Sequence, residues 1–95
     1  MSLDGGLSIR GSVTPNPDAM KFTLDRVILE SGSRSYASRF EAMDDPLGSA
    51  LFEIPGVTAI FYMADFVTVT KESTAAWEGI SRAVEEVIKR HLTGR

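Results

Sequence analysis

The side chains that could carry out chemistry are few in this chain of 95 residues. It has no cysteine and one histidine, His91. Without thiolates the chain cannot itself supply a disulfide, a cysteine nucleophile, or cysteine ligands for zinc or an iron–sulfur cluster. One histidine also excludes a multi-histidine metal site. We therefore predict that this chain's own residues bind no metal and no cofactor.

Carboxylates remain as candidate ligands. Asp44 and Asp45 are adjacent, and with Asp65 or Glu41 they are one alternative for an acidic metal site. The spacing does not match a calcium-binding EF-hand loop. Asp45 directly precedes Pro46, a pair typical of a helix start, so we predict a helix cap and solvated charge here.

Acid–base or nucleophilic catalysis has little support. Glu85 and Glu86 are consecutive on a predicted helix and point apart, so they do not form a working pair. His91 lies near the end of that helix without an evident partner. The sequence has no Gly-x-Ser-x-Gly motif and no phosphate-binding glycine loop. We predict that the chain is not an enzyme; a small enzyme using acids and His91 is the least favoured alternative.

Composition indicates one globular domain spanning residues 1–95, with residues 1–6 as a flexible tail. Apolar residues make up 43% and charged residues 24% of the sequence, which is ordinary for a folded domain. The net charge of −3 argues against nucleic acid as a partner. No apolar run is long enough for a membrane span, and no targeting signal appears. A cytoplasmic location is the expectation.

The first half of the chain reads as strands. Residues 7–13 and 19–24 alternate apolar and polar side chains, as half-buried strands do. Residues 27–29 either extend the second strand or form a short third one. Ser31-Gly32-Ser33 is expected to break the chain, and residues 35–43 are ambiguous.

The second half begins with a short helix capped by Asp45 and ended by Pro55-Gly56. Residues 57–62 and 66–71 form a hairpin, in which the first strand is apolar on both faces and cannot be oriented. A final helix is capped by Ser73 or Thr74 and ends near Gly94. Its apolar stripe comprises Trp77, Ile80, Val84, Val87, Ile88 and Leu92.

These elements follow the order β-β-(β)-α-β-β-α. We predict an α+β fold, a small antiparallel or mixed sheet with two helices packed on one face. A last helix with a single apolar stripe covers one side of the sheet, so the other face stays partly open to solvent.

Two separated stretches resemble the N-terminal domain of Nfu-type (NifU-like) iron–sulfur scaffold proteins. TPNPDAMKF, residues 14–22, is similar to the family's TPNP-x-(A/L)-x-KF segment. LFEIPGV, residues 51–57, and DFVTVTK, residues 65–71, are similar to its LF-x-I-x-GV and DF-(I/V)-TVTK segments. The resemblance covers residues 14–92.

The resemblance implies an accessory domain that recognises proteins in cluster assembly, such as a cluster-carrying scaffold or a client protein. Family members usually hold the cluster with a Cys-x-x-Cys pair in a second domain, and no such pair is present here. Asp18 replaces a common Asn, and Gly48 replaces a common Ala at a cost to the helix of about 1 kcal/mol. The alternative is a general peptide- or protein-binding module unrelated to iron.

Two surfaces are candidates for partner binding. The proline corner at residues 14–17 is stiff, which lowers the ordering cost of recognition, although a purely structural corner is the alternative. An open sheet face with exposed aromatic rings is the second surface, unless Phe61 and Phe66 belong to the core. The candidate partner-binding residues are Thr14, Pro15, Asn16, Pro17, Lys21, Phe22, Asp65 and Phe66.

Overall fold

The computed structural model describes residues 7–93, which form one five-stranded sheet and two helices. The strand order is β1-β2-β5-β4-β3, and every neighbouring pair is antiparallel. This confirms the predicted α+β class and element order. The elements are β1 (Ile9–Val13), β2 (Ala19–Leu24), β3 (Leu29–Tyr36), α1 (Pro46–Phe52), β4 (Val57–Ala64), β5 (Phe66–Lys71) and α2 (Trp77–Thr93).

The hydrophobic core lies between one sheet face and the two helices. Phe22 on β2 and Val67 and Val69 on β5 are completely buried, with 0% of their surface exposed. The period of two along each strand places these residues on one side, as the alternation predicted. The helices, the segment after α1 and strand β4 contribute Leu47, Leu51, Ile54, Ile60, Tyr62, Ile80, Val84, Val87 and Ile88 to the same cluster.

Helix α1 begins where the sequence predicted. One carboxylate oxygen of Asp45 accepts hydrogen bonds from the backbone amides of Leu47 and Gly48, at 3.0 and 3.2 Å. These amides have no partner within the helix, and the aspartate supplies one. The helix ends at Phe52, and Gly56 then adopts a φ of 97°, which favours glycine.

Two predicted boundaries were wrong. Ser31-Gly32-Ser33 does not break the chain but lies within β3, where the pairing with β4 is irregular between Leu29 and Arg34. The strand continues through a bulge there: Gly32 adopts a φ of 74°, and the pairing with β4 resumes at Arg34. Helix α2 begins at Trp77 rather than after Ser73 or Thr74, because a turn closed by the Ala75 amide on the Glu72 carbonyl, at 3.0 Å, occupies that segment.

The predicted stripe of α2 faces the sheet. Ile80, Val84, Val87 and Ile88 are buried, while Trp77 and Leu92 pack at the edge of the core. The predicted stop at Gly94 and the predicted tail at residues 1–6 lie outside the described residues. No helix within residues 7–93 has the length and apolar character needed to cross a membrane.

Candidate functional site

The sheet face opposite the helices carries a surface that we call the open face. Strand pairing sets its rows: Lys21 lies beside Thr68, and Thr68 beside Phe61. The register therefore settles the orientation of β4, which the sequence left ambiguous. Across β1, β2, β5 and β4 the open face consists of Arg10, Ser12, Ala19, Lys21, Thr23, Ala59, Phe61, Met63, Phe66, Thr68 and Thr70.

Two aromatic rings and an ammonium group lie at its centre. The ring centroids of Phe61 and Phe66 are 6.0 Å apart and tilted by 42°. The Nζ atom of Lys21 lies 4.4 Å from the centroid of Phe66, within the range of a cation–π interaction. Both rings are half-buried and Lys21 is exposed. The open face thus presents apolar area beside a fixed positive charge.

Charge on the open face differs in sign from that of the whole chain. Its ionisable side chains are Arg10 and Lys21, both exposed, and none of the residues that define it is Asp or Glu. The complete chain carries a formal charge of −3. The acidic side chains therefore lie on other surfaces of the molecule or at the margin of the open face.

The structure does not place Phe22, one of the candidate partner-binding residues, on the surface. It alternates with Lys21 along β2, so its ring points into the core and is 0% exposed. Asp65 lies at the tip of the β4–β5 hairpin beside Phe66, after Ala64 in the left-handed conformation with a φ of 49°. The structure therefore brings Lys21, Phe66 and Asp65 to one side of the molecule and leaves Phe22 out.

The proline corner at residues 14–17 is organised by its own polar groups. The Thr14 hydroxyl accepts a hydrogen bond from the backbone amide of Asn16 at 3.1 Å. It also lies 3.0 Å from the Ala19 carbonyl, to which it can donate. The Asn16 side-chain oxygen accepts from the Asp18 amide at 2.9 Å, an Asx turn. Thr14 is therefore used within the corner.

The corner is also held against the end of β5 and the start of α2. Lys71 forms a salt bridge to Asp18 at 3.1 Å and donates to the Glu72 carbonyl at 3.2 Å. The indole N–H of Trp77 donates to the Pro17 carbonyl at 3.0 Å. These contacts assign the corner a structural role, while the side chains of Pro15, Asn16 and Pro17 stay exposed.

Sequence reasoning missed Lys71. Its side chain follows Val67 and Val69 on the inward side of β5, and the residue is only 8% exposed. A lysine at a position that continues a buried alternation needs a partner. That periodicity was the available signal, but it does not identify Asp18, which lies 53 residues away.

A second polar cluster joins Asp45 to two tyrosines. The other Asp45 carboxylate oxygen accepts hydrogen bonds from the hydroxyls of Tyr62, at 2.6 Å, and Tyr36, at 2.7 Å. The cluster borders a cavity of about 240 Å³ that is also lined by Arg34, Glu41, Asp44 and Pro46. Sequence reasoning predicted the cap at Asp45 but neither tyrosine contact.

The cluster's ionisation favours a structural role. Burial raises the pKa of Asp45, but hydrogen bonds from Tyr62, Tyr36 and the helix amides outweigh it, so the pKa lies below the ordinary value. Burial and the hydrogen bond to Asp45 raise the pKa of Tyr62 and of Tyr36. At neutral pH both phenols stay protonated and donate to a carboxylate, which leaves no activated base or nucleophile.

The candidate metal site at Asp44 and Asp45 is not assembled. Both oxygens of Asp45 already accept hydrogen bonds, and within residues 7–93 no three or more His, Asp or Glu side chains are grouped to hold a metal ion. His91 lies far along α2, half-buried, outside the Asp45 cluster.

Comparison with known proteins gives one consistent family. The model described as "Scaffold protein Nfu/NifU N terminal" matches residues 9–95. "NifU-like protein 5, mitochondrial" from Arabidopsis thaliana is 40% identical over 70 residues, which cover 74% of this chain and 26% of the relative. "NFU1 iron-sulfur cluster scaffold homolog, mitochondrial" from Homo sapiens is 40% identical over 60 residues, 63% of this chain and 24% of the relative.

The chain thus spans about a quarter of the length of the curated relatives it matches. These relatives are named as mitochondrial, so they lend no support to the expected cytoplasmic location.

Two solved structures share the fold. The crystal structure of protein SAV1430 from Staphylococcus aureus matches with a TM-score of 0.72 at 32% identity, covering 85% of this chain and 98% of that one. The solution structure of a NifU-like protein from Saccharomyces cerevisiae matches with a TM-score of 0.81 at 23% identity, covering 94% of this chain and 81% of that one. The second likeness concerns the fold alone.

Proposed function

The chain belongs to the family of Nfu/NifU N-terminal domains, and from this we propose that it is a protein-binding accessory domain in iron–sulfur cluster assembly. It recognises a cluster-carrying scaffold or a client protein, and it neither catalyses a reaction nor ligates a cluster itself. The observation that carries the proposal is the open face, a helix-free surface with two aromatic rings and an exposed lysine at its centre.

The open face has the composition of a contact surface. Phe61 and Phe66 offer apolar area without being sealed into the core, and Met63 adds a side chain that is 37% exposed. Aromatic and methionine side chains are enriched in the centres of protein interfaces. The neighbouring strands hold these side chains at fixed spacing, so little ordering cost accompanies binding.

Ligand chemistry supports assigning the cluster to a partner. A chain without cysteine offers no thiolate to iron, and its one histidine cannot replace a set of ligands. The cluster is therefore cargo held by another polypeptide or domain. The part played by this chain is to bring that carrier and its client together.

The proline corner is the second candidate contact surface. Its hydrogen bonds fix the backbone, which leaves Pro15, Asn16 and Pro17 displayed on a rigid loop. The side-chain nitrogen of Asn16 can donate outward, since only the side-chain oxygen accepts a hydrogen bond within the corner. Replacing Asn16 by Ala tests this surface, at the cost of the Asx turn.

Anaerobic capture from the native host, with the tagged chain as bait and mass spectrometry as readout, tests the proposal. We expect wild-type protein to retain cluster carriers or cluster-containing clients, and Phe66→Ala to retain at least about tenfold less, as at central interface positions. Phe40→Ala is the matched control, because that ring is 82% exposed on the β3–α1 loop, away from the open face.

The proposal fails if wild-type bait recovers no protein of cluster metabolism. If Asn16→Ala lost the captured partners and Phe66→Ala retained them fully, the proline corner would be the binding surface. Recovery of unrelated proteins through the open face would favour a general protein-binding module.

A further inference from the structure

We propose that the open face takes an acidic segment of a partner protein, one in which carboxylates flank a large apolar side chain. The inference rests on the proposed function only in that it uses the same surface. It adds the chemistry of what binds there.

Charge complementarity supports this occupant. Arg10 and Lys21 give the open face a local charge of +2 on a chain of net −3, and the residues that define it include no acid. A basic partner would meet carboxylates such as Asp25 and Asp65 only at the strand ends that border this face, and cations at its centre. Complementary potentials both accelerate association and suppress wrong partners.

The position of Lys21 adds specificity. Its ammonium lies 4.4 Å from the centroid of Phe66, so the flexible side chain has a preferred place at the centre of the face. An ammonium has three donors, and the ring contact leaves donors directed at solvent. A carboxylate that pairs with Lys21 therefore arrives beside the aromatic pair, where an adjacent apolar side chain can cover Phe61 and Phe66.

Two other occupants fit less well. Single-stranded nucleic acid binds through a positive groove along its backbone and bases stacked on open ring faces. Here two cations are present, and Lys21 already lies over the ring of Phe66. A second copy bound face to face would bring Lys21 and Arg10 close to the same residues of its partner, which like-charge repulsion opposes.

Selection of random 12-residue peptides on the immobilised wild-type chain provides the test. We expect the enriched peptides to carry net negative charge around an aromatic or large aliphatic residue. On titration they should shift the amide resonances of Lys21, Phe66 and Thr68. Raising NaCl from about 0.05 to 0.5 M should weaken binding, because partly exposed charges are screened.

Variants separate charge from shape. Lys21→Glu should weaken the selected peptides by more than about tenfold, since an attraction becomes a repulsion. Arg82→Glu makes the same change of charge on the exposed side of α2 and should change affinity less than about twofold. Lys21→Met retains the aliphatic stem, so its loss of peptide affinity should lie between those of the two charge-reversal variants. Circular dichroism confirms that each variant is folded.

Neutral or basic consensus peptides, shifts confined to other surfaces, or no enrichment at all would overturn the inference. So would tighter binding of a twelve-nucleotide thymidine strand than of any peptide, or a dimer in sedimentation velocity that Lys21→Glu stabilises. Acidic peptides that bind the face while host capture finds no cluster proteins would refute the proposed function alone. Host partners that use a basic segment on this face would refute only this inference.

Discussion

Asp45 shows how much one side chain organises at the residue scale. Its carboxylate accepts hydrogen bonds from the Leu47 and Gly48 amides and from the Tyr36 and Tyr62 hydroxyls. It therefore joins the start of α1 to strands β3 and β4. The Asp-Pro pair made the cap predictable, because a helix start is a local pattern. The tyrosine contacts depend on strand register, so the sequence did not reveal them.

Acidification should remove the stabilisation by Asp45. Its pKa in the folded protein is lowered, so the contribution is complete above the ordinary aspartate pKa of about 3.9. It is lost as pH falls from there through the lower folded value. Asn has only one accepting oxygen, so it cannot serve both the helix amides and the tyrosine hydroxyls. We expect Asp45→Asn to cost about 1–2 kcal/mol at pH 7 and less at pH 3.

Urea titrations followed by the fluorescence of Trp77 at both pH values measure this difference. Asp44→Asn removes the same charge from the neighbouring exposed residue and should change the free energy of unfolding by less than about 0.5 kcal/mol. A gap between wild type and Asp45→Asn that is equal at pH 7 and pH 3 would show that carboxylate charge is not its source.

Lys71 provides a second test at this scale, because it is a nearly buried cation. Lys71→Met keeps the length of the side chain but loses the salt bridge to Asp18 and the bond to the Glu72 carbonyl. We expect a loss of about 2 kcal/mol in the free energy of unfolding. Lys21→Met, on the open face, should cost no more than about 1 kcal/mol. Equal losses in urea titrations of the two variants would contradict the structural role of Lys71.

At the scale of elements, two helical glycines should respond oppositely to the same substitution. A Cβ atom at Gly48 in α1 would lie 3.1 Å from the Ala42 Cβ and 3.1 Å from a ring carbon of Tyr36, whereas one at Gly79 in α2 would meet nothing within 4 Å. Gly79→Ala should therefore stabilise by about 0.5–1 kcal/mol through helix propensity. For Gly48→Ala, crowding outweighs that gain, and we expect a loss of about 1 kcal/mol.

Thermal unfolding of the two variants beside wild type measures the difference. A rise in melting temperature for both would show that Tyr36 moves aside and that Gly48 is only a weak helix residue. This result would support the interpretation from sequence alone, in which Gly48 only lowers the stability of helix α1.

Element prediction succeeded where a local pattern was strict and failed where turn or cap residues had another role in the structure. Strand β2 follows from strict alternation, and α1 from its cap and stripe. The segment Ser31-Gly32-Ser33 resembles a turn, and it interrupts the pairing of β3 with β4 without ending the strand. The start of α2 was misplaced because Ser73 and Thr74 are good caps in isolation, while a turn closed on Glu72 occupies that segment.

For the whole molecule, the candidate site is a property of the sheet and not of any one segment. Lys21, Phe66 and Phe61 come from three strands, and only the order β2-β5-β4 places them in contact. Local sequence patterns identify each strand and predict an open face, but they cannot orient β4, which is apolar on both sides. Register, set by the buried residues of β5, resolves the orientation.

Hydrogen exchange should reveal the same hierarchy of stability. The amides of Val67 and Val69 lie on the central strand β5 among fully buried side chains. We expect them to exchange only through global unfolding, with a free energy equal to that from urea titration. The amides of residues 31–33, on the edge strand where pairing is irregular, should exchange at least about a hundredfold faster.

Amide exchange followed by NMR measures both groups in one sample, and the completely buried Val84 and Ile88 of α2 provide an internal reference for global opening. Slow exchange at β5 implies that β2, β5 and β4 hold the open face rigid, as a preorganised binding surface requires. Protection at residues 31–33 equal to that of β5 would contradict the irregular pairing of β3. Fast exchange at Val67 would contradict the rigidity on which binding by the open face depends.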